Sequence, residues 1–229
     1  MASLNRRTEW RVSVGAEETS AVLDTAASSP MGLFVCAHGA GGHKDDRGNR
    51  QTARVLGGIG LDVVRFNFLY REKGSRRPDS MPRLKECMAA VVSRALEEIR
   101  PRVLLLGGRS MGGRAASMLA ADGFPCDALL LLAYPLHPAG QPEKLRDSHL
   151  LRIEVPVLCF NGTRDSLCRR DLMENTLRGL GDRWTMHWLE AADHSFHVPK
   201  TSGRSEADVL AEIEATTQVW LDRLPSRPG

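Results

Sequence analysis

Ser110 stands in the run Gly107-Gly108-Arg109-Ser110-Met111-Gly112-Gly113, directly after the apolar stretch VLLLG at 103–107. A helix-forming run, RAASMLAAD, follows it. Strand, tight turn and helix are the context in which Gly-x-Ser-x-Gly makes a nucleophile elbow. The turn strains the serine backbone and lifts the hydroxyl above the sheet, so positions 108 and 112 must be small. The start of the following helix offers N–H groups and partial positive charge to a developing oxyanion. A glycine-rich turn here can also cradle phosphate, but neither GxGxxG nor GxxxxGK[ST] occurs in the chain.

A neutral serine needs a base to take its proton and a carboxylate to hold that base. Asp165 lies in Asn161-Gly162-Thr163-Arg164-Asp165, just beyond the apolar run 155–160, and His194 follows the run 184–189 within Asp193-His194-Ser195-Phe196. The order Ser, Asp, His, each beyond a strand, is the one used by α/β hydrolases. Asp165 has a structural alternative, capping a helix that begins near Leu167. Asp193 is the rival acid and is read as a loop-shaping residue. His197 is the rival base, but His194 comes sooner after its strand.

The fourth element is His38-Gly39-Ala40-Gly41-Gly42, after the apolar run 31–37. A loop at this point supplies one oxyanion N–H and the residue after the nucleophile supplies the other. Met111 and Ala40 are the expected donors, with Gly41 as the alternative to Ala40. His38 is expected to shape the loop rather than transfer protons.

The elements that must position these residues are legible. Near-continuous apolar runs at 31–37, 61–68, 103–107, 128–134 and 155–160 read as strands buried on both faces of a parallel sheet. Residues 184–189 add a further strand, and weaker runs near 9–14 and 19–25 suggest an antiparallel hairpin at the sheet edge. In 81–100, Leu84, Met88, Val91, Val92, Ala95, Leu96 and Ile99 share one helical face. Pro82 sits in the first turn and Pro101 beyond the end, where proline is tolerated. The last helix opens on Ser205-Glu206-Ala207-Asp208, a capping box with Asp for Glu. Its buried stripe is Val209, Leu210, Ile213, Thr217, Trp220, Leu221 and Leu224. Alternating strands and helices predict a doubly wound α/β fold with a mostly parallel sheet of about seven to eight strands.

Composition narrows the classes. The chain has 229 residues with 31 Lys+Arg against 28 Asp+Glu, a balance that implies no basic face for nucleic acid. A length of 229 suits a single α/β domain over 1–229. Arg supplies 26 of the basic residues, a bias that GC-rich coding explains better than function does. The five cysteines lack CxxC spacing and two sit in apolar runs, which favours a reducing compartment. No signal-peptide core opens the chain and no run has membrane-span length, so a cytoplasmic protein without a membrane partner is expected.

These stretches together resemble the α/β-hydrolase superfamily. More narrowly, HGAGGH (38–43), RFNFLYREKGSRRPD (65–79), GGRSMGGRAAS (107–117), YPLHPAGQPEKLRDSHL (134–150), NGTRD (161–165) and ADHSF (192–196) are similar to the small hydrolase-like family of testis-expressed and NSL-complex-subunit proteins. The resemblance implies the fold and Ser110, Asp165 and His194 as triad; it implies no substrate. Dienelactone hydrolases are similar in size but carry cysteine at the nucleophile position, where this chain has Ser110.

About twenty residues, 135–154, separate two strands where capped hydrolases insert a subdomain, so no cap is expected. They are read as a short loop over an open, shallow site. Arg76 and Arg77, in the loop 71–77, either form a solvated basic surface or attract an acidic substrate or a partner's acidic tail. His137 and His149 lack the carboxylate spacing of a metal site, so neither metal nor cofactor is expected. The reading is a serine hydrolase acting on a small-molecule ester, thioester or similar acyl compound. The alternatives are a hydrolase-fold interaction module and an acyltransferase with the same triad; oligomeric state is left open.

Overall fold

The computed structural model describes residues 6–26 and 30–224. Eight strands form one sheet: β1 (Arg7–Val14), β2 (Glu17–Asp24), β3 (Gly32–Ala37), β4 (Leu61–Phe66), β5 (Leu104–Arg109), β6 (Ala128–Leu132), β7 (Val157–Gly162) and β8 (Trp184–Leu189). Their spatial order is β1-β2-β4-β3-β5-β6-β7-β8. β1 and β2 pair antiparallel, as does β2 with β4, and every other pairing is parallel. The hairpin expected at the edge is therefore there, and the sheet is mostly parallel and doubly wound. The strand order turns at β3, with β4 on one side and β5 on the other. Chain leaving β3 and β5 thus flanks a crevice at the carboxyl edge, where α/β sheets bind ligands.

Successive side chains of a strand point to opposite faces, and both faces are covered. α1 (Arg47–Gly58) and α6 (Glu206–Leu221) pack on the face carrying Phe34, Cys36, Val63, Leu105, Leu130 and Phe160. On the other face, Leu33, Val35, Val64, Leu106, Leu131 and Cys159 meet α3 (Met81–Glu98) and α4 (Met111–Ala121). This two-sided burial is why the strands read as continuous apolar runs. A one-turn helix, α2 (Leu69–Glu72), follows β4, and α5 (Arg170–Leu177) precedes β8. Among the described residues, no helix is long and apolar enough to cross a membrane.

Helix boundaries follow local chemistry. Ser205 caps α6: its Oγ accepts the Asp208 N–H while Asp208 accepts the Ser205 N–H, the reciprocal box read from sequence. Leu96 departs from expectation, being 40% exposed on α3. It follows buried Ala95 by about 100° of helical rotation, which carries it off the core stripe. Cys87 takes a buried position on that stripe instead.

Residues 135–154 do not roof the site as expected: none of them lines the cavity at Ser110. Leu136, Leu150 and Ile153 anchor the segment in the core formed with α3 and α4. Tyr134 Oη donates to the Arg146 carbonyl at 2.7 Å, and His149 Nε2 lies 2.8 Å from Ser117 Oγ on α4. Apolar anchors at both ends of the segment pull it against the helices and leave the crevice uncovered.

Candidate active site

The elbow is strained where a nucleophile requires it. Ser110 has φ 50° and ψ −115°, a conformation L residues avoid unless surrounding contacts hold it. Its N–H donates to Leu132 O at 2.8 Å, which ties the turn to β6. Gly108 has φ 131°, and a side-chain carbon there would stand 2.2 Å from Ala37 O. At Gly112 the same carbon would meet Ala37 O and His38 O at 2.6 Å. Both positions are closed to any larger residue.

His194 Nε2 lies 2.9 Å from Ser110 Oγ, and its Nδ1 lies 2.9 Å from each oxygen of Asp165. Because a carboxylate only accepts, Nδ1 carries the ring proton and Nε2 is left to accept from the serine hydroxyl. The Asp165 side chain is wholly buried. Asn161 Nδ2 donates to it at 3.0 Å and Leu167 N–H at 2.8 Å. Asp165 thus does both jobs weighed for it, although the turn it caps precedes α5 rather than opening it.

The rivals fall elsewhere. Asp193 Oδ1 accepts the N–H groups of Ser195 and His197 at 2.7 and 3.0 Å and so shapes the histidine loop. His197 is exposed, 3.4 Å from Glu206, and makes no hydrogen bond to Ser110. His137 accepts the Arg169 N–H at 3.1 Å, a link between two loops.

The loop after β3 runs past the serine: a side-chain carbon at Gly39 would stand 3.6 Å from Ser110 Cβ. Gly41 N–H donates to Tyr70 Oη at 3.1 Å, so of the two candidate donors Gly41 is already engaged. Among the described residues, the N–H groups of Ala40 and Met111 have no acceptor. The loop is held by residues just beyond β4. His38 Nδ1 donates to Gly39 O at 2.7 Å while Nε2 accepts the Phe68 N–H at 3.1 Å. Burial drives the His38 pKa down to about 4, which keeps the ring neutral in this dual role. Asn67 Oδ1 accepts the Lys44 N–H at 2.8 Å. Buried Arg65 binds Asp24 at 2.6 Å and Asp45 at 3.0 Å, fastening the same loop to the edge hairpin.

A cavity of about 560 Å³ opens beside Ser110 and His194. Its walls are α1 and α6, with Val55, Leu56, Val209, Leu210 and Ile213 supplying apolar surface. Arg109 and Phe196 also line it. Arg76 and Arg77 are exposed and take no part in this lining. Three residues that sequence reasoning passed over matter here: Asn161, which braces Asp165; Tyr70, which fixes Gly41; and Arg109. All three lay inside quoted motifs, but their partners are distant in sequence.

The sequence profile of the alpha/beta hydrolase domain matches residues 30–222, most of the chain. The chain belongs to the α/β-hydrolase family. Solved structures agree on the fold. A dienelactone hydrolase from Anabaena variabilis is 21% identical, with a TM-score of 0.73 over 97% of this chain and 99% of that one. A lidless α/β serine hydrolase from Xanthomonas campestris is 20% identical, with a TM-score of 0.72 over 98% of each chain. The esterase domain of a Rhodothermus marinus protein is 18% identical, with a TM-score of 0.73 over 96% and 99%. At these identities the likeness is one of fold, and the Xanthomonas campestris protein is itself described as lidless.

Proposed function

We propose that this α/β hydrolase cleaves an ester, thioester or similarly activated acyl bond through Ser110, His194 and Asp165. The observation that supports the reading most directly is the chain of contacts from Ser110 Oγ to His194 Nε2 and from His194 Nδ1 to Asp165, each 2.9 Å. His194 takes the hydroxyl proton as Ser110 Oγ attacks the acyl carbon. The resulting oxyanion accepts hydrogen bonds from the Met111 and Ala40 N–H groups. Collapse transfers the His194 proton to the leaving group and leaves an acyl-serine. Water then attacks that ester, giving its proton to His194, and the acid departs as the proton returns to Ser110. Asp165 stays ionised and stabilises each imidazolium. The sequence uses no metal and no organic cofactor, and the substrate is a small acyl compound entering the cavity between α1 and α6.

A fluorophosphonate probe tests the reading, because it phosphonylates only an activated serine. Wild type should label and Ser110→Ala should not. A wild-type protein that stays unlabelled would overturn the proposal and favour an interaction module that has kept the fold.

A further inference from the structure

We infer that Arg109 forms a carboxylate-binding subsite beside Ser110, so that the preferred acyl compound carries an anionic carboxylate. The word substrate rests on the hydrolase reading above; the subsite itself rests on the surroundings of Arg109. Arg109 is among the residues that line the cavity beside Ser110. Its Nη2 donates to the His194 carbonyl at 2.9 Å, and its guanidinium lies 4.4 Å from the centre of the Phe196 ring. One N–H and one face of the plane are thereby fixed.

No carboxylate pairs with what remains. Among the described residues, Arg109 has no ion-pair partner, while Arg47 in the same cavity is matched by Glu206 at 2.6 Å. The nearby acids are committed elsewhere. Asp165 takes hydrogen bonds from His194, Asn161 and Leu167, and Asp193 takes those of Ser195 and His197. Asp46, also at the cavity, accepts the His43 N–H at 2.7 Å. Burial works against the Arg109 charge and lowers its pKa, with Asp165 and Asp193 offsetting this only through space. A partly buried cation without a contacting anion is costly unless a ligand supplies one. With one face against Phe196, the free donors lie in the guanidinium plane, where a planar carboxylate is the matching partner.

The experiment compares 4-nitrophenyl monoesters of glutarate, adipate and suberate with the neutral pentanoate, hexanoate and octanoate esters. At the best chain length, wild type should prefer the anionic ester by roughly 10–100-fold in kcat/KM, the effect of a charge-assisted hydrogen bond. Arg109→Gln should abolish that ratio, and Arg109→Lys, which keeps charge but loses the fork, should retain part of it. Equal losses on both ester series would overturn the subsite and leave Arg109 as a clamp on the histidine loop. So would the absence of any anionic preference in wild type at all three lengths. Binding of the same dicarboxylates to Ser110→Ala, followed by calorimetry, separates the two proposals. Binding that Arg109→Gln removes, in a protein the fluorophosphonate never labels, would keep the subsite and sink the hydrolase. Labelling without binding or preference would do the reverse.

Discussion

Two serine–histidine hydrogen bonds lie along α4, one at its N-cap and one inside it, and only the first has the surroundings that the proposed chemistry needs. Ser110 Oγ is 2.9 Å from His194 Nε2, and Ser117 Oγ, two turns further along, is 2.8 Å from His149 Nε2. Distance does not tell them apart; surroundings do. Ser117 also lies 2.8 Å from the Arg114 carbonyl, which can only accept. Its single proton is therefore committed to that carbonyl, and His149 Nε2 must be the donor of the pair. A buried carboxylate accepts from His194; among the described residues no carboxylate hydrogen-bonds His149, where Arg114 and Arg152 oppose protonation and Asp122 and Asp147 offset them only through space. Burial and those charges lower the His149 pKa to about 4, which makes it a poor base near neutral pH. Ser110 is held in strained backbone beside a cavity, whereas Ser117 is wholly buried within the helix. What singles out Ser110 as the proposed nucleophile is thus what stands behind and in front of the pair.

The contrast breaks or holds first on turnover. Ser110→Ala and His194→Ala should each lower kcat by about 10⁵–10⁶-fold, because a triad works as a unit. Ser117→Ala should leave kcat within about threefold and cost roughly 1–3 kcal/mol of stability, because two hydrogen bonds go and the buried His149 N–H loses its acceptor. Steady-state kinetics on the best ester, with a denaturation midpoint for each variant, reads both. A Ser117→Ala protein that folds normally yet loses turnover as Ser110→Ala does would dissolve the distinction. Asp165→Asn sharpens it further, since the amide can hold the ring in the wrong tautomer: kcat should fall about 10⁴-fold. If that variant keeps most of its rate, the carboxylate is not what separates His194 from His149.

The difference between the two pairs also marks how far sequence alone reaches. Strands buried on both faces leave uninterrupted apolar runs, so β3 to β7 and the order Ser, Asp, His were readable along the chain. The capping box at Ser205 is a local device and was equally visible. What was not visible depends on contacts between distant segments. Tyr70 acts on Gly41, Asn161 braces the acid while bonding to Tyr134, and α1 meets α6 across most of the chain to wall the cavity. The 135–154 segment stands where capped hydrolases insert a subdomain, yet Leu136, Leu150 and Ile153 pack into the core on the α3 and α4 face. Arg76 and Arg77 were conspicuous as a charge cluster, yet the arginine beside the nucleophile was Arg109, hidden as the variable letter of the elbow.

The smallest effect is a dependence of stability on acid. His149 in the folded chain has a pKa of about 4, below the unfolded histidine value of about 6.5. Above pH 6.5 both states leave it neutral and it adds no slope. Between pH 6.5 and 4 the unfolded chain binds a proton that the folded chain refuses, so stability falls as pH falls; below 4 both bind it and the slope ends. The full window is worth at most about 3 kcal/mol. His38, also near 4, contributes over the same range, so wild type alone cannot apportion the loss. His149→Gln keeps an N–H for Ser117 Oγ but cannot titrate. Near pH 7.5 it should be the less stable protein by about 1 kcal/mol, and by pH 4 the gap should close or reverse. Urea midpoints for the two proteins across this range measure the change. Parallel curves would mean that folded His149 protonates freely, and the pair on Ser117 would then be closer to the Ser110–His194 pair than their surroundings imply.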